Sequence, residues 1–374
     1  MVRGPGPAQG RFKMLHLALL SAVLSVQPEL REVDRLELPS DHSWLGTKVG
    51  GISGIDYLES WDTWAMISDD KGQHGPVRGY LAKIQLTGNR LTNVEVTTLL
   101  PMSWGTGELF TQEGFDPEGI RILPHKDFFG DPTMVWVSEG AGTRGVPTRV
   151  YEVCTGATRM DTWTAPENYA PKRRSGIRNN RAYESVAIIA DRVAVVATEE
   201  PLRQDGDTYV RLSTLDLNRP ESEPVAQLAY PLDDAPTGAP GGQNGLVDLV
   251  ALEGGGFLSI ERSWNMAAQQ SIRVFLVDTA GATDVLEIES LNSGGFTPVE
   301  KTLIADLGDR YGNTEGMCLG PVLESGERSL ILVSDNNFAP GMPTIFSLFA
   351  IVDPEGEITP ADRLGSRESV LGGH

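Results

Sequence analysis

A short pattern recurs along this chain at a nearly constant spacing. In each copy an apolar segment with a polar residue near its start is followed by a second apolar segment that ends in an acid, as in 313–319 and 329–335. The polar residues are 65, 66, 64 and 67 positions apart by subtraction, and they are Ser53, Glu118, Glu184, Asp248 and Glu315. So constant a period indicates a repeat architecture, in which successive units bury their apolar faces against one another.

Each unit has room for four strands, because two more alternating segments follow the first pair. Four strands are the usual content of a propeller blade. We therefore predict an all-β fold, a single β-propeller of about five four-stranded blades. Six blades are the alternative, which would need strands within 165–181 or 291–312, where apolar alternation is scarce. In the fourth unit the predicted outer strands are 272–277 and 283–288, with 298–304 as a connector.

The two ends of the chain differ from the repeats. Residues 29–40 alternate apolar with charged positions, which predicts a half-buried strand that supplies the outer strand of the last blade and closes the ring. Residues 1–27 combine basic residues with a short apolar run, which is typical of a signal peptide. An uncleaved disordered tail is the alternative. The propeller is predicted over 28–362, a frayed tail over 363–374, and the location as periplasmic or extracellular.

Composition narrows the classes of partner. The chain has 31 Lys plus Arg against 51 Asp plus Glu, a formal net charge of −20. That balance disfavours nucleic acid, whose phosphates need cationic surface, and it suits a protein that collects cations or is merely soluble. Cys154 and Cys318 fall in units that a ring of five does not place side by side, which predicts two buried thiols. We expect no membrane-spanning segment and a monomer.

The recurring acids would converge on the propeller axis, because the same point of every unit faces that axis. Converging carboxylates repel one another unless a hard cation lies between them, and calcium accepts many oxygen ligands in irregular geometry. We therefore predict a calcium site. Its candidate ligands are Asp69, Glu118, Glu139, Glu184, Glu199, Glu261, Glu315 and Asp335. For each single acid, the alternative is a strand cap or a partner for an arginine or lysine.

The segment 165–181 is the one dense basic stretch of this acidic sequence. Guanidinium groups meet phosphate oxygens two at a time, so Arg178 and Arg181 are candidate phosphate-binding residues. A solvated loop is the alternative, above all for Lys172 and Arg173.

The motifs of nucleophilic catalysis are missing from the sequence. No Gly-x-Ser-x-Gly occurs, and the five histidines form no pair with ligand spacing. His74 follows Asp69 by five residues and is a candidate general acid, with a solvated loop histidine as the alternative. Water activated by a metal ion is the more economical chemistry.

An ordered set of motifs resembles the bacterial phytase-like family, the "esterase-like activity of phytase" proteins, over about residues 45–352. The motifs are GISGI at 51–55, DPEGI at 116–120, NRAYESV at 180–186, EEPL at 199–202, ER at 261–262, PVEK at 298–301, TEG at 314–316 and SDNNF at 334–338. The resemblance implies a secreted propeller related to the calcium-dependent β-propeller phytases, and hydrolysis of phosphoesters or esters. On this resemblance Arg181 and Lys301 would bind phosphate and act in catalysis, with Arg262 also at the substrate.

One motif departs from the family pattern. Residues 182–185 read Ala-Tyr-Glu-Ser where the family has Gly-Phe-Glu-Gly. The acid is kept, and the difference bears on how closely neighbouring backbones approach at 182 and 185.

Two functions of different classes follow from these observations. The first is an exported, calcium-dependent hydrolase of small phosphoesters or esters that uses a metal-bound water. The second is a non-catalytic binding propeller with a structural calcium, because one fold hosts both kinds of function. A screen for ester hydrolysis in the presence of metal discriminates between them.

Overall fold

The described part of the chain is built almost entirely of β-strands. A computed structural model describes residues 27–102, 109, 114–126, 132–154, 160–235, 242–267 and 269–363. In chain order its strands are β1 (Glu29–Leu38), β2 (Ser43–Trp44), β3 (Thr47–Lys48), β4 (Ile52–Leu58), β5 (Thr63–Ser68), β6 (Arg78–Thr87), β7 (Arg90–Pro101), β8 (Pro117–Lys126), β9 (Pro132–Ser138), β10 (Arg149–Cys154), β11 (Met160–Thr164), β12 (Tyr183–Ala190), β13 (Val193–Thr198), β14 (Tyr209–Asp216), β15 (Ala226–Pro231), β16 (Gln243–Ala251), β17 (Phe257–Trp264), β18 (Gln270–Asp278), β19 (Glu300–Gly308), β20 (Asn313–Val322), β21 (Arg328–Asp335) and β22 (Thr344–Val352). Within the same residues, short 3₁₀ helices lie at Glu59–Trp61, Gly142–Arg144, Glu167–Tyr169, Arg203–Asp205, Glu253–Gly255 and Leu291–Ser293.

Five four-stranded antiparallel sheets form the blades of a propeller. Blade 1 contains β4 to β7, blade 2 contains β8 to β11, blade 3 contains β12 to β15, and blade 4 contains β16 to β19. Blade 5 has the strand order β20-β21-β22-β1, and β2 pairs with β3 in a separate hairpin. The innermost strands β4, β8, β12, β16 and β20 contact one another around the axis. The prediction of an all-β propeller with five four-stranded blades is confirmed.

The N-terminal strand closes the ring. β1 pairs antiparallel with β22, so that Glu29 lies opposite Val352 and Leu38 opposite Thr344. The outer strand of blade 5 therefore comes from the start of the described chain and the other three from its end, as predicted.

The apolar core is divided among the interfaces between blades. Five clusters of buried side chains each join two successive blades, and the cluster with Ile55 and Val333 joins blade 1 to blade 5. Because both faces of a middle strand meet a neighbouring blade, every residue of β13 is buried. Cys154 and Cys318 are buried and free, as predicted.

The fourth blade differs from its prediction in the outermost strand. The predicted strand 283–288 is not one; β19, which begins within the predicted connector, pairs instead with β18. Residues 283–288 lie against blade 3, where the Val285 amide donates to the Gln227 carbonyl at 2.7 Å and the Gln227 amide donates to Asp284 at 3.0 Å. Two short segments with apolar alternation could each supply the outer strand of blade 4, and the period alone does not show which one does.

The segment after β22 crosses one end of the axial channel. This is the end opposite to the one where the innermost strands begin. The Ala361 amide donates to the Ala251 carbonyl at 3.2 Å, and the guanidinium of Arg363 bonds both oxygens of Asp56 at 2.5 and 2.7 Å. Arg363 is thus anchored, although the predicted tail begins there. The rest of that tail, and residues 1–26 of the predicted signal segment 1–27, lie outside the described residues.

Among the described residues, no helix has the length and apolar character needed to cross a membrane.

Candidate metal centre

The innermost strand of every blade has a β-bulge near its start. The pairing register shifts between Ile52 and Gly54 in β4, and at the same point of the other four inner strands. A bulge inserts one unpaired residue and re-aims its side chain. The residues within the shifts include Ser53, Glu118, Glu184, Val247 and Glu315. The blade 4 counterpart of the recurring acids is therefore Val247, and the assignment of Asp248 to that series was wrong by one residue.

Glycine follows the bulged residue in three blades, and close approach explains it. A Cβ added to Gly54 would lie 2.7 Å from the Glu118 carbonyl oxygen, and one added to Gly119 would lie 2.8 Å from that of Glu184. Blade 3 has Ser185 at this position, fully buried, with no hydrogen-bond partner for its hydroxyl. The inner strands therefore pack backbone to backbone, which draws the bulged carboxylates together.

Two groups of three buried carboxylates share one residue. Asp116, Glu118 and Glu139 form the first group, and Glu139, Glu184 and Glu199 form the second. In each group the oxygens lie within 4.8 Å of one another, which is close enough for one cation to contact all three. The groups bring together blades 2 and 3, and Glu139 belongs to both.

The two groups, with Asp69, Glu315 and Asp335 beside them, form a carboxylate cluster, and three of its oxygens lack a hydrogen-bond donor. They are Oδ1 of Asp116, Oε2 of Glu184 and Oε2 of Glu315. These three residues are only 3%, 7% and 8% exposed, respectively. A buried oxygen without a donor is costly, so buried polar atoms of this kind call for an explanation such as an ion. Hard oxygen donors of this charge fit a calcium ion.

The pKa values of several acids in the cluster are raised. Burial and the neighbouring carboxylates hold the pKa of Glu118, Glu139 and Glu184 well above its ordinary range. Burial raises the pKa of Glu315 to about 8, although Arg262 acts in the opposite direction. Burial, followed by Asp335, likewise raises the pKa of Asp69. These acids therefore bind protons more tightly than exposed carboxyl groups do, unless cations neutralise the cluster.

Arg262 is the contribution of blade 4 to the centre. Its guanidinium bonds Glu199 at 3.0 Å, Asn313 at 2.6 Å and Glu315, so that it joins blades 3 and 5 across the axis. Arg262 was predicted at the substrate, and here it holds two candidate ligands in place.

Two more cationic side chains border the carboxylates. Arg181 bonds Glu199 at 2.8 Å and Glu200 at 3.0 Å. Lys71 forms an ion pair with Asp116, and its ammonium donates to Asn180 at 3.2 Å. Both side chains therefore border the site with their charges already paired.

A cavity of about 650 Å³ opens above the cluster. Its charged lining residues are Asp69, Lys71, Glu118, Arg181, Glu184, Arg262, Glu315 and Asp335. A second cavity of about 630 Å³ lies beside it and is lined by Arg144, Arg178 and Arg203 among others. Lys71 and Asn180 line both cavities.

The structure does not bring Glu261 and Lys301 into the centre. Strand alternation places Glu261 on the opposite face from Arg262, where it accepts hydrogen bonds from Tyr230 at 2.8 Å and Asn244 at 2.6 Å. Lys301 bonds Glu261 and lies 4.3 Å from the centre of the Phe275 ring. Glu261 and Lys301 thus neutralise each other's charge within blade 4.

Asp248 lies deeper in the channel. Its carboxylate accepts from Arg121 at 2.7 Å and from the Met317 amide at 2.7 Å, and Arg121 also donates to the Ile55 carbonyl at 2.9 Å. These bonds cross the axis between blades 1, 2, 4 and 5. With the Asp56–Arg363 pair, they fill the channel beneath the carboxylates.

The other predicted residues lie at the rim. His74 is exposed and stacks on Phe338 at 4.2 Å, and it is not among the residues that line the 650 Å³ cavity. Arg178 bonds the carbonyls of Pro201 and Gly206. It therefore lines the neighbouring cavity, which Asp116 and Glu139 also line, and not the 650 Å³ cavity.

Asp116, Lys71 and Asn313 belong to the site but were not among its predicted residues. A sequence signal existed for two of them, because Asp116 and Asn313 each precede a recurring glutamate by two residues. Lys71 follows the pair of acids directly after β5, and nothing in the repeat distinguishes it.

A family model supplies an independent comparison. The family described as "Phytase-like: Esterase-like activity of phytase" matches residues 47–338. No curated protein matches the chain.

Several solved structures resemble the chain weakly. A GH43 β-1,3-galactosidase with galactodeoxynojirimycin is 11% identical with a TM-score of 0.48, over 88% of this chain and all of that one. An exo-β-1,3-galactanase from Phanerochaete chrysosporium is 13% identical with a TM-score of 0.46, over 87% and 66%. An endo-arabinase from Bacteroides thetaiotaomicron is 10% identical with a TM-score of 0.43, over 83% and 96%. The assignment to a family rests on the family model, which spans most of the chain, including the acids at the β-bulges. This protein therefore belongs to the phytase-like family.

Proposed function

We propose that this chain is an exported hydrolase of small phosphoric esters or related esters, which acts with calcium held by the buried carboxylates. The observation that supports it best is the pair of carboxylate groups joined at Glu139, with donor-free oxygens on Asp116, Glu184 and Glu315. Ordinary strand caps or ion pairs would satisfy these oxygens.

The candidate ligands are the members of the two groups, with Glu315, Asp335 and Asp69 beside them. A bound divalent cation would supply an acidified water and would neutralise charge on the phosphoryl oxygens. The number of ligands and their irregular arrangement favour calcium over magnesium, which demands near-octahedral geometry.

The chain's own cationic groups would position the ligands and orient the ester. Arg262 fixes Glu199 and Glu315 through the bonds described above, and Arg181 fixes Glu199 from the opposite side. Both side chains also line the cavity, where a guanidinium edge can meet a phosphoryl oxygen. Hydrolysis breaks the bond between phosphorus and the ester oxygen; water gives its hydroxyl to phosphorus and its proton to the departing alcohol.

The test combines binding with turnover. We expect calcium to raise the melting temperature of the wild type and to permit hydrolysis of p-nitrophenyl phosphate, and chelator to abolish both. The Glu118→Gln variant should lose both effects. The matched control is Glu152→Gln: this blade 2 carboxylate pairs with Arg192, in the turn between β12 and β13 of blade 3, and belongs to neither group.

Calcium that stabilises the fold while no ester is hydrolysed would reject the enzyme and leave a binding propeller with a structural ion. No stabilisation by any divalent cation would reject the metal centre itself.

We also propose export, on the basic and apolar pattern within residues 3–24. Mass spectrometry of the protein recovered from the periplasm or medium should find the chain cleaved before Glu29. A full-length chain retained in the cytoplasm would reject export. We further propose that the protein acts as a monomer, which light scattering tests.

A further inference from the structure

The cavity above the carboxylates has a second, apolar wall. Trp264 at the end of β17 and Met342, Pro343 and Ile345 at the start of β22 line it from blades 4 and 5. Trp264 is 37% exposed and Met342 is 47% exposed. Strand alternation places Trp264 on the same side of β17 as Arg262, two residues earlier, so the indole adjoins the charged floor.

A single exposed apolar side chain is ordinary, but this wall is contiguous and borders a polar site. Patches of that kind mark binding surfaces. Within the described part of the chain, Trp264 makes no ring-to-ring contact, and its ring is therefore available to a ligand.

The charges of the same cavity limit how many anionic groups a ligand can have. Five carboxylates line it against three cationic side chains. Each of those cations is already bound to acids: Lys71 to Asp116, Arg181 to Glu199 and Glu200, and Arg262 to Glu199 and Glu315. Among the described lining residues of this cavity, every cationic side chain is therefore paired, so beyond the cations held by the carboxylates none is free to neutralise a second or third phosphate.

We propose that the substrate is a monoester with one anionic group, whose alcohol part is aromatic or otherwise apolar and lies against Trp264 and Met342. This inference rests on the proposed function and names its substrate class. The anionic group would face the carboxylate-held cations, and the alcohol would lie on the apolar wall. A ring stacked on an indole in a partly closed cavity gains both apolar burial and favourable ring geometry.

The experiment compares three phosphoesters in the calcium-loaded protein: 2-naphthyl phosphate, glycerol 2-phosphate and inositol hexakisphosphate. We expect kcat/KM to be highest for the naphthyl ester. Trp264→Ala should lower it about tenfold for that ester, a factor that corresponds to the worth of one aromatic contact, and by less than about twofold for glycerol 2-phosphate. Met266→Ala is the control, because Met266 is 77% exposed and does not line the cavity.

A direct binding measurement separates this inference from the proposed function. Calorimetric titration of 2-naphthyl phosphate should show tighter binding to wild type and Met266→Ala than to Trp264→Ala, whether or not turnover follows. Binding without hydrolysis would reject the hydrolase and retain the ligand class. Preferred binding or hydrolysis of inositol hexakisphosphate, or an equal effect of Trp264→Ala on the aromatic and polar esters, would overturn the inference.

Discussion

The axial channel contains buried carboxylates at two levels, and the levels differ in how their charge is balanced. In the deeper level Asp248 pairs with Arg121 and Asp56 with Arg363. In the upper level the carboxylates outnumber their cationic partners, and three oxygens have no donor. The pKa values follow this difference. Burial raises the pKa of Asp248 to about 6 against the opposing effect of Arg121, and it raises that of Glu315 further, to about 8, against the opposing effect of Arg262.

The comparison teaches that burial of acids does not by itself mark a metal site. The deeper acids have strong donors and need nothing further, so they join blades. The upper acids are incomplete without cations, which is the property expected of a binding centre. Four predictions separate the two levels, from the largest expected effect to the smallest.

Arg121→Met should destabilise the fold most, because it leaves Asp248 buried without its partner. Loss of one member of a buried ion pair costs about 3–5 kcal/mol of unfolding free energy. Urea unfolding in chelator measures it, and the same loss should occur in calcium. The double variant Arg121→Met/Asp248→Leu should recover most of it, since no charge is then left alone. If the loss of stability disappears in calcium, the two levels belong to one calcium site and the distinction between them is wrong.

Glu139→Gln should abolish most of the stabilisation by calcium, because this residue belongs to both carboxylate groups. At a calcium concentration one hundred times the dissociation constant, that stabilisation is about 2.7 kcal/mol. Thermal melts in calcium and in chelator measure the difference. Glu200→Gln is the control: its carboxylate pairs with Arg178 and Arg181 outside both groups and should keep the full calcium effect. Equal losses in both variants would contradict the assignment.

Arg363→Ala should cost about 1–3 kcal/mol, because Asp56 loses two charged hydrogen bonds but still accepts the Ile122 amide at 2.7 Å. The calcium-induced stabilisation should not change. The control Arg310→Ala removes an exposed pair with Glu32, for which about 0–1 kcal/mol is expected. Losses of similar size in the two variants would show that the C-terminal segment does not anchor the channel.

The last prediction concerns how the free energy of unfolding in chelator changes with pH, and its slope per pH unit is the smallest effect of the four. In the folded protein the pKa values of Glu184 and Glu315 are raised above the ordinary value of about 4 that they have in the unfolded chain. Folding then takes up protons, so stability should fall as pH rises from about 5 to 8, by at most about 1.4 kcal/mol per pH unit for each proton. Calcium should flatten the curve. Stability that rises over this range in chelator would contradict the raised pKa values.

The sequence predicted the blades well and the site only in part. The near-constant period fixes five inner strands, because each apolar unit must bury its faces. A bulge has no comparable signal: it moved the blade 4 position from Asp248 to Val247, since one inserted residue turns a side chain to another direction. Glu261 and Arg262 are neighbours in sequence but face opposite sides, so only one of them reaches the axis. Pairing partners such as Lys71 come from loops, whose path no periodicity describes.

The pairing of β1 with β22 also affects the order in which the protein can fold. Glu29 meets Val352 across nearly the whole chain, and contacts between residues so distant in sequence form slowly. Until β22 has been synthesised, the N-terminal strand is an open edge that can pair with another copy of the chain. Its charged residues, among them Glu29, Arg31, Glu32 and Asp34, oppose such pairing while the strand waits. Among the described strands, the one that completes the propeller is thus synthesised first, and it pairs with the one that is synthesised last.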